Sequence, residues 1–174
     1  MYSGKTSKLL AISCQLDRAR IRNVIINHIS DTRYGDGQEL VSHDGTAKPC
    51  VSTPSLHAFH DPTKALDTEA ILINEGQFFD DIVVWVTKMV KSPHSKQIYI
   101  CGLDADFRGH SFGSWLELLP IADNISKLQS VCAVCKKKPS VFSMRLCSEE
   151  RQVLVGNTEY VPACRACFEH KDAK

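Results

Sequence analysis

Met1-Tyr2-Ser3-Gly4-Lys5-Thr6-Ser7 opens the chain, and its Gly-Lys-Thr is the second half of the phosphate-cradling pattern G-x-x-x-x-G-K-[ST]. Gly4 lets backbone N–H groups close around an anion with no Cβ in the way. Lys5 supplies a point charge for terminal phosphates, and the Thr6 hydroxyl suits Mg²⁺. Leu9, Leu10, Ile12, Leu16 and Ala19 recur at helical spacing, so Ser7 to about Arg20 reads as a helix whose N-terminal dipole adds to the attraction. The pattern's first Gly and its preceding strand would lie upstream of Met1, so the stretch reads as a cut loop. That strand is typically central in a parallel sheet, and a groove of unpaired N–H and C=O groups is expected in its place. On this reading the protein either begins earlier or is a truncated or degenerate copy. A bare Gly-Lys-Thr is common by chance, so the rest of the chain must decide what it means.

Outward from that loop, Val24-Ile25-Ile26, Ala70-Ile71-Leu72-Ile73 and Gln97-Ile98-Tyr99-Ile100-Cys101 are apolar, β-branched runs that read as buried parallel strands. Asp80-Asp81 is expected to cap a helix with Ile82, Val83, Val86, Met89 and Val90 inward, stopped by Pro93. A further helix is expected around Phe112–Leu119, closed by Pro120, and Lys127–Val131 reads as a fourth strand. Residues 38–62 lack periodicity and read as long loop; His43, His57 and His60 within them are not at metal spacing. Strand and helix alternating in this way predict an α/β sheet with crossover connections, which takes ligands at its strand C-termini.

The 174 residues suffice for one ordinary domain with a real core, and the net charge of +1 implies no polycationic face for nucleic acid. No apolar run approaches bilayer-spanning length, and the N-terminus lacks a secretory h-region. Eight cysteines with paired C-x-x-C spacing in a chain this size favour a reducing cytosol and a metal.

Cys132-x-x-Cys135 and Cys164-x-x-Cys167 are the two knuckles of a four-thiolate structural Zn²⁺ site, with no position left for a catalytic water. The competing reading is a redox dithiol. Cys14, Cys50, Cys101 and Cys147 have no such partners. Lys136-Lys137-Lys138 reads as a solvated knuckle tip, with a nucleic-acid patch as the alternative. Between the knuckles, Val141–Leu146 and Gln152–Val155 read as two strands of a hairpin, followed by a Gly156-Asn157 turn. Metal at both ends of this insert would lower its closure entropy.

Together these residues resemble the type II thymidine kinases, the family of the cytosolic animal, bacterial, plant and poxviral enzymes. The likeness runs the length of the chain. It rests on Met-Tyr-Ser-Gly-Lys-Thr at 1–6, Asp-Thr-Arg-Tyr at 31–34, His-Asp at 43–44, Glu-Gly-Gln-Phe-Phe at 75–79 and Leu-Asp at 103–104. Phe107, Ser-Phe-Gly at 111–113, Lys-Leu at 127–128, both cysteine pairs and Tyr160 complete it.

The resemblance implies a P-loop NTPase-like parallel sheet over residues 1–131 and a small zinc-binding lasso subdomain over 132–174. It implies transfer of the ATP γ-phosphoryl group to the 5′-hydroxyl of thymidine, giving dTMP. Ser3, Gly4, Lys5, Thr6, Asp31, Thr32, Arg33, Asn74, Gly76 and Gln77 match ATP- and phosphate-binding positions, with Thr6 on Mg²⁺. Glu75 would be the general base, and Arg33, placed by Asp31, would offset transition-state charge. Thymine would sit against backbone groups of Val153, Leu154, Val155 and Gly156, with Tyr160 beneath. Met1, Phe78, Leu103, Phe107, Phe112 and Ser143 match pocket-lining positions. The family also implies a cytoplasmic homotetramer, feedback by dTTP, and neither nucleic-acid nor membrane partners. One position departs: Asn74 stands where the family pattern has an Asp that helps hold Mg²⁺, so metal affinity should fall. With the cut loop, Asn74 keeps open a second reading, a non-catalytic or impaired thymidine-kinase-like subunit. A zinc-knuckle nucleic-acid module is the third.

Overall fold

The structure, a computed structural model, describes residues 2–31, 38–42, 44–59, 67–154 and 159–170. Met1, Thr32, Arg33, Val155 and Gly156, all expected at the site, lie outside the described residues, as do His43, His60 and Asn157. In chain order the elements are α1 (Lys5–Arg18), β1 (Asn23–His28), β2 (Glu39–Val41), β3 (Ala47–Pro49), β4 (Val51–Thr53) and β5 (Ala70–Ile73). There follow a 3₁₀ turn (Gly76–Phe78), α2 (Ile82–Met89), β6 (Gln97–Ile100) and a second 3₁₀ segment (Trp115–Ile121). The C-terminal unit holds β7 (Ser130–Val131), β8 (Pro139–Ser140), β9 (Phe142–Arg145), β10 (Tyr160–Ala163) and α3 (Arg165–Glu169).

The central sheet is parallel, in the order β4-β1-β5-β6. Strand alternation sorts its side chains into two cores. Leu72, Ala70 and Ile25 pack on Leu9, Leu10 and Leu16 of α1, while Ile26, Ile71 and Ile73 face Ile82, Trp85, Val86 and Met89 of α2. Full burial of each such Ile or Leu contributes about 1.5–3 kcal/mol. β5 is buried along its whole length, which is why it reads as an unbroken apolar run. β6 is an edge: among the described residues no strand pairs with its outer side. An apolar cleft flanks that side, lined in part by Ile12, Ile98, Leu119 and Ile125.

Several local readings change. Residues 38–62 are not all loop: β2 and β3 form an antiparallel hairpin, and β4 joins the sheet as the parallel neighbour of β1. Asp81 occupies the N-cap of α2 without capping it by its side chain. Its carboxylate is taken by the N–H groups of Leu56 (3.1 Å) and His57 (2.8 Å) and by His57 Nδ1 (2.7 Å). The inward face of α2 includes Trp85, and Val90 is exposed. The segment after Phe112 is 3₁₀ rather than α and carries Pro120 within it. Lys127–Val131 adds no sheet strand; only Ser130 and Val131 are extended, pairing with β8 in the first knuckle. Between the knuckles, β9 pairs with Tyr160–Ala163 and not with the described residues 152–154 of the expected strand Gln152–Val155.

Candidate active site

Gly4 lies in the left-handed region (φ 77°), and α1 begins at Lys5. The first turn of a helix leaves N–H groups without intrahelical acceptors, and here the residues of that turn line a cavity. Tyr2, Ser3, Gly4, Lys5, Thr6 and Ser7 form one wall. Ser30 and Asp31, just past β1, and Glu75, Gln77 and Phe78, just past β5, form the floor. Leu103, Ala105, Asp106, Phe107 and Phe112 line it from the segment after β6. Ser143 of β9, Gln152, Val153, Leu154 and Tyr160 of β10 close the far side.

Glu75 sits at the point where β5 turns into 3₁₀, with φ 54°. Left-handed backbone is uncommon for a residue with a side chain and is held only where surroundings over-determine it. Gln77 is one such constraint. Its Nε2 donates to Glu75 Oε2 (2.6 Å), while its Oε1 accepts from the Leu103 N–H (2.9 Å). Gly113 (φ 68°) lies so close that a Cβ there would stand 2.3 Å from the Gln77 carbonyl oxygen. Phe78 packs edge-on against Phe112, with ring centroids 5.5 Å apart. Burial pushes the His28 imidazole below its ordinary pKa, opposed by the Pro54 carbonyl and nearby acids. Ser30 N–H donates to His28 Nδ1 (3.1 Å), leaving Nε2 to donate to Pro54 C=O (3.2 Å).

Asn74 and Gly76 do not line the cavity. Asn74 is buried beneath it, donating from Nδ2 to Asn27 Oδ1 (2.9 Å) and Asp31 Oδ2 (3.4 Å) and accepting from the Cys101 thiol (3.1 Å). Asp31 is therefore the carboxylate of this cluster. Gly76 donates its N–H to Cys101 C=O (2.9 Å), packed where a Cβ would meet Ile100 at 2.8 Å.

The Sγ atoms of Cys132, Cys135, Cys164 and Cys167 all lie within 4.8 Å of one another, a group that could hold a metal ion such as zinc. Cys132 and Cys164 are buried, and Cys135 and Cys167 are half-buried. Burial opposes ionisation of Cys132, but N–H groups of Cys135, Cys164 and Val134 outweigh it and draw the thiol down to about 6. Cys167 is pushed up to about 12, first by the Cys164 side chain and then by burial. Sulfurs crowded this closely resist full ionisation, and a divalent cation among them removes that resistance. Both knuckles are stitched to the hairpin: Ala133 N–H reaches Pro162 C=O (2.8 Å), and Phe142 stacks on Phe168 at 4.5 Å.

The thymidine kinase family model matches residues 1–168. The chain belongs to the thymidine kinase family. It is 37% identical to a thymidine kinase of Bacteroides thetaiotaomicron, over 97% of this chain and 82% of the relative. It is 34% identical to one of Myxoma virus (strain Uriarra), over 97% and 91%. With a thymidine kinase of Oryza sativa subsp. japonica it shares 36% identity over 95% of this chain, which spans only 62% of the rice protein. Among the described residues no helix is long and apolar enough to cross a membrane.

Within this thymidine kinase framework, the cavity gathers Ser3, Gly4, Lys5, Thr6, Asp31, Glu75, Gln77, Phe78, Leu103, Phe107, Phe112, Ser143, Val153, Leu154 and Tyr160, each expected from sequence. Asp106 and Gln152 were not expected. Gln152 Nε2 donates to Asp106 Oδ2 (2.9 Å), and Asp106 Oδ1 accepts from the N–H groups of Arg108 (2.9 Å) and His110 (3.0 Å). Burial would raise the Asp106 pKa, but these donors hold the carboxyl below its usual range. A second tie, Arg108 to Glu150 C=O (2.7 Å), crosses at the same place. No local pattern announces either bridge, because each joins residues more than forty positions apart.

Proposed function

We propose that this chain transfers the γ-phosphoryl group of ATP to the 5′-hydroxyl of thymidine. The observation that supports this best is the single cavity joining the N-terminus of α1 to Glu75 and to the flap between the cysteine pairs. Backbone N–H groups at Ser3–Thr6 and the Lys5 ammonium bind the β- and γ-phosphates, and Thr6 with Asp31 would hold the Mg²⁺ that accompanies ATP, which offsets phosphate charge. Glu75 takes the proton of the 5′-hydroxyl. That oxygen attacks the γ-phosphorus as the bond to the β-phosphate oxygen breaks, and ADP leaves. Arg33, by family likeness, offsets charge on the transferring group. The thymine ring lies between Phe78, Phe107 and Phe112 on one side and Val153, Leu154 and Tyr160 on the other, an apolar slot with few polar groups.

Zn²⁺ held by Cys132, Cys135, Cys164 and Cys167 is structural, fixing both ends of the flap-bearing unit, residues 132–174, against the body, residues 1–131. A cytoplasmic homotetramer with dTTP feedback follows from the likeness. The second reading, an impaired or non-catalytic member, is favoured by Asn74, which contributes no charge beside Asp31. Conversion of labelled thymidine to dTMP with Mg·ATP decides between them. Product from the wild type, lost in Glu75→Gln, supports the kinase; thymidine binding without any product supports the second reading.

A further inference from the structure

Residues 152–154 line the cavity, and the stretch 146–154 that carries them has almost no main-chain pairing of its own. Among the described residues, its backbone–backbone bonding is limited to the Leu146 N–H to Glu159 C=O contact (2.8 Å), beside Arg151 N–H to Glu149 Oε1 (3.1 Å) and the Arg108 donation to Glu150 C=O (2.7 Å). One side chain gathers them instead. Arg145, the last residue of β9, is 0% exposed. Its Nη1 donates to the carbonyls of Glu149 (2.7 Å) and Arg151 (2.5 Å), and its Nη2 to that of Gln152 (3.1 Å) and to the Tyr160 hydroxyl. The guanidinium carbon stands 3.6 Å from the Phe107 ring centroid and 4.9 Å from that of Tyr160. Among the described residues, none of its hydrogen-bond partners is a carboxylate, and Nε has no hydrogen-bond partner.

A buried cation without a counter-ion costs several kcal/mol unless strong hydrogen bonds satisfy it. Here that satisfaction comes from three carbonyls of one irregular loop, so any loop conformation that withdraws a carbonyl leaves a buried charge underbonded. The planar fork matters as much as the charge, since an ammonium cannot spread donors to three fixed carbonyls and also stack on a ring. Phe107, Gln152 and Tyr160, which the guanidinium touches, all line the cavity. We propose that Arg145 is a positioning residue: it folds residues 149–154 into their nucleoside-closing shape before substrate arrives and fastens them to Phe107 on the body. This rests on reading the cavity as the thymidine site. Ordering the loop in advance lowers the entropy that binding must otherwise overcome.

The test compares wild type, Arg145→Lys and Arg145→Met as full-length, zinc-loaded proteins. The expected result is a thymidine KM at least about tenfold higher in both variants, with kcat within about threefold and the KM for ATP within about twofold. Amide exchange should accelerate in residues 146–154 and stay unchanged in β1 and β5, with zinc content preserved. A thymidine KM within about twofold of wild type, or unchanged exchange in 146–154, would overturn the proposal. So would a uniform loss of protection and of zinc, which marks a role in the fold at large. If the wild type phosphorylates no thymidine, the kinase reading fails, and the exchange measurement still decides whether Arg145 holds the loop.

Discussion

Replacing Asn74 by aspartate restores the family's carboxylate, and the structure says what that does before any catalysis is measured. Asn74 is 1% exposed and donates to Asn27 Oδ1 and Asp31 Oδ2, the latter at 3.4 Å. The substitution removes both donations and sets two carboxylates side by side. Unit like charges 4 Å apart repel by about 4 kcal/mol at an effective dielectric of about 20, and partial solvation of Asp31 lowers this to about 2–4 kcal/mol. Asn27 can turn its amide to donate to the new oxygen only by withdrawing its Nδ2 from Asp31 Oδ2 (3.4 Å), so the turn returns nothing net. Without metal, Asn74→Asp is therefore expected to be less stable than wild type by about 2–4 kcal/mol at neutral pH. The sign of the pH dependence follows. The introduced carboxyl holds its proton above the usual carboxylate range when folded, so the folded state binds more protons than the unfolded one. The penalty is absent below the unfolded value of about 4 and grows as pH rises through the raised folded value. Mg²⁺ between the carboxylates reverses it. Urea denaturation at acid and neutral pH, with and without Mg²⁺, reads all three effects. Wild-type stability in the metal-free variant, or a Mg²⁺ response no larger than wild type's, would refute the placement of Asp31 against position 74.

Glu75→Gln is expected to lower kcat by about 10²–10⁴-fold with little change in the thymidine KM; a rate within tenfold of wild type would show that Glu75 is not the base. Gly113→Ala drives a Cβ to 2.3 Å from the Gln77 carbonyl oxygen in a left-handed backbone. It should cost about 1–3 kcal/mol in denaturation and lower kcat with it, because Gln77 aims Glu75. Chelation or Cys164→Ser should weaken thymidine binding, read calorimetrically, before the α/β body loses its circular dichroism; retained affinity without metal would contradict the flap's dependence on it. Burial holds the folded His28 pKa below its unfolded value of about 6.5, so the folded state binds fewer protons and stability is lost as pH falls below that value. In His28→Gln the fall in melting temperature between neutral and mildly acid pH should be shallower than in wild type.

Strands β1, β5 and β6 were legible because parallel strands in or beside the core are short apolar, β-branched runs, most completely in β5, buried at all its positions. β4 escaped notice for the opposite reason: Val51-Ser52-Thr53 is short and half polar, and it is a strand only because β1 offers it a ladder. The hairpin partner was misjudged because Gln152–Val155 has the better β composition, whereas Tyr160–Ala163 wins by lying next to the second knuckle, which carries it back to β9. The site divides the same way. Gly4-Lys5-Thr6, Glu75 with Gln77, and the two cysteine pairs are each brought to the site by residues close in sequence, so their pattern survives in the linear chain. Asp106, Gln152 and Arg145 act by convergence across long separations, and spacing carries no trace of that. Arg145 left one sign, a charged residue inside the apolar run Phe142–Leu146. On a half-buried strand such a residue ordinarily points to water. Here its strand position turns it inward, and among the described residues no acid hydrogen-bonds it. Carbonyl groups of the neighbouring loop must then supply what a carboxylate would have supplied, which makes the shape of the flap a consequence of where one cation was buried.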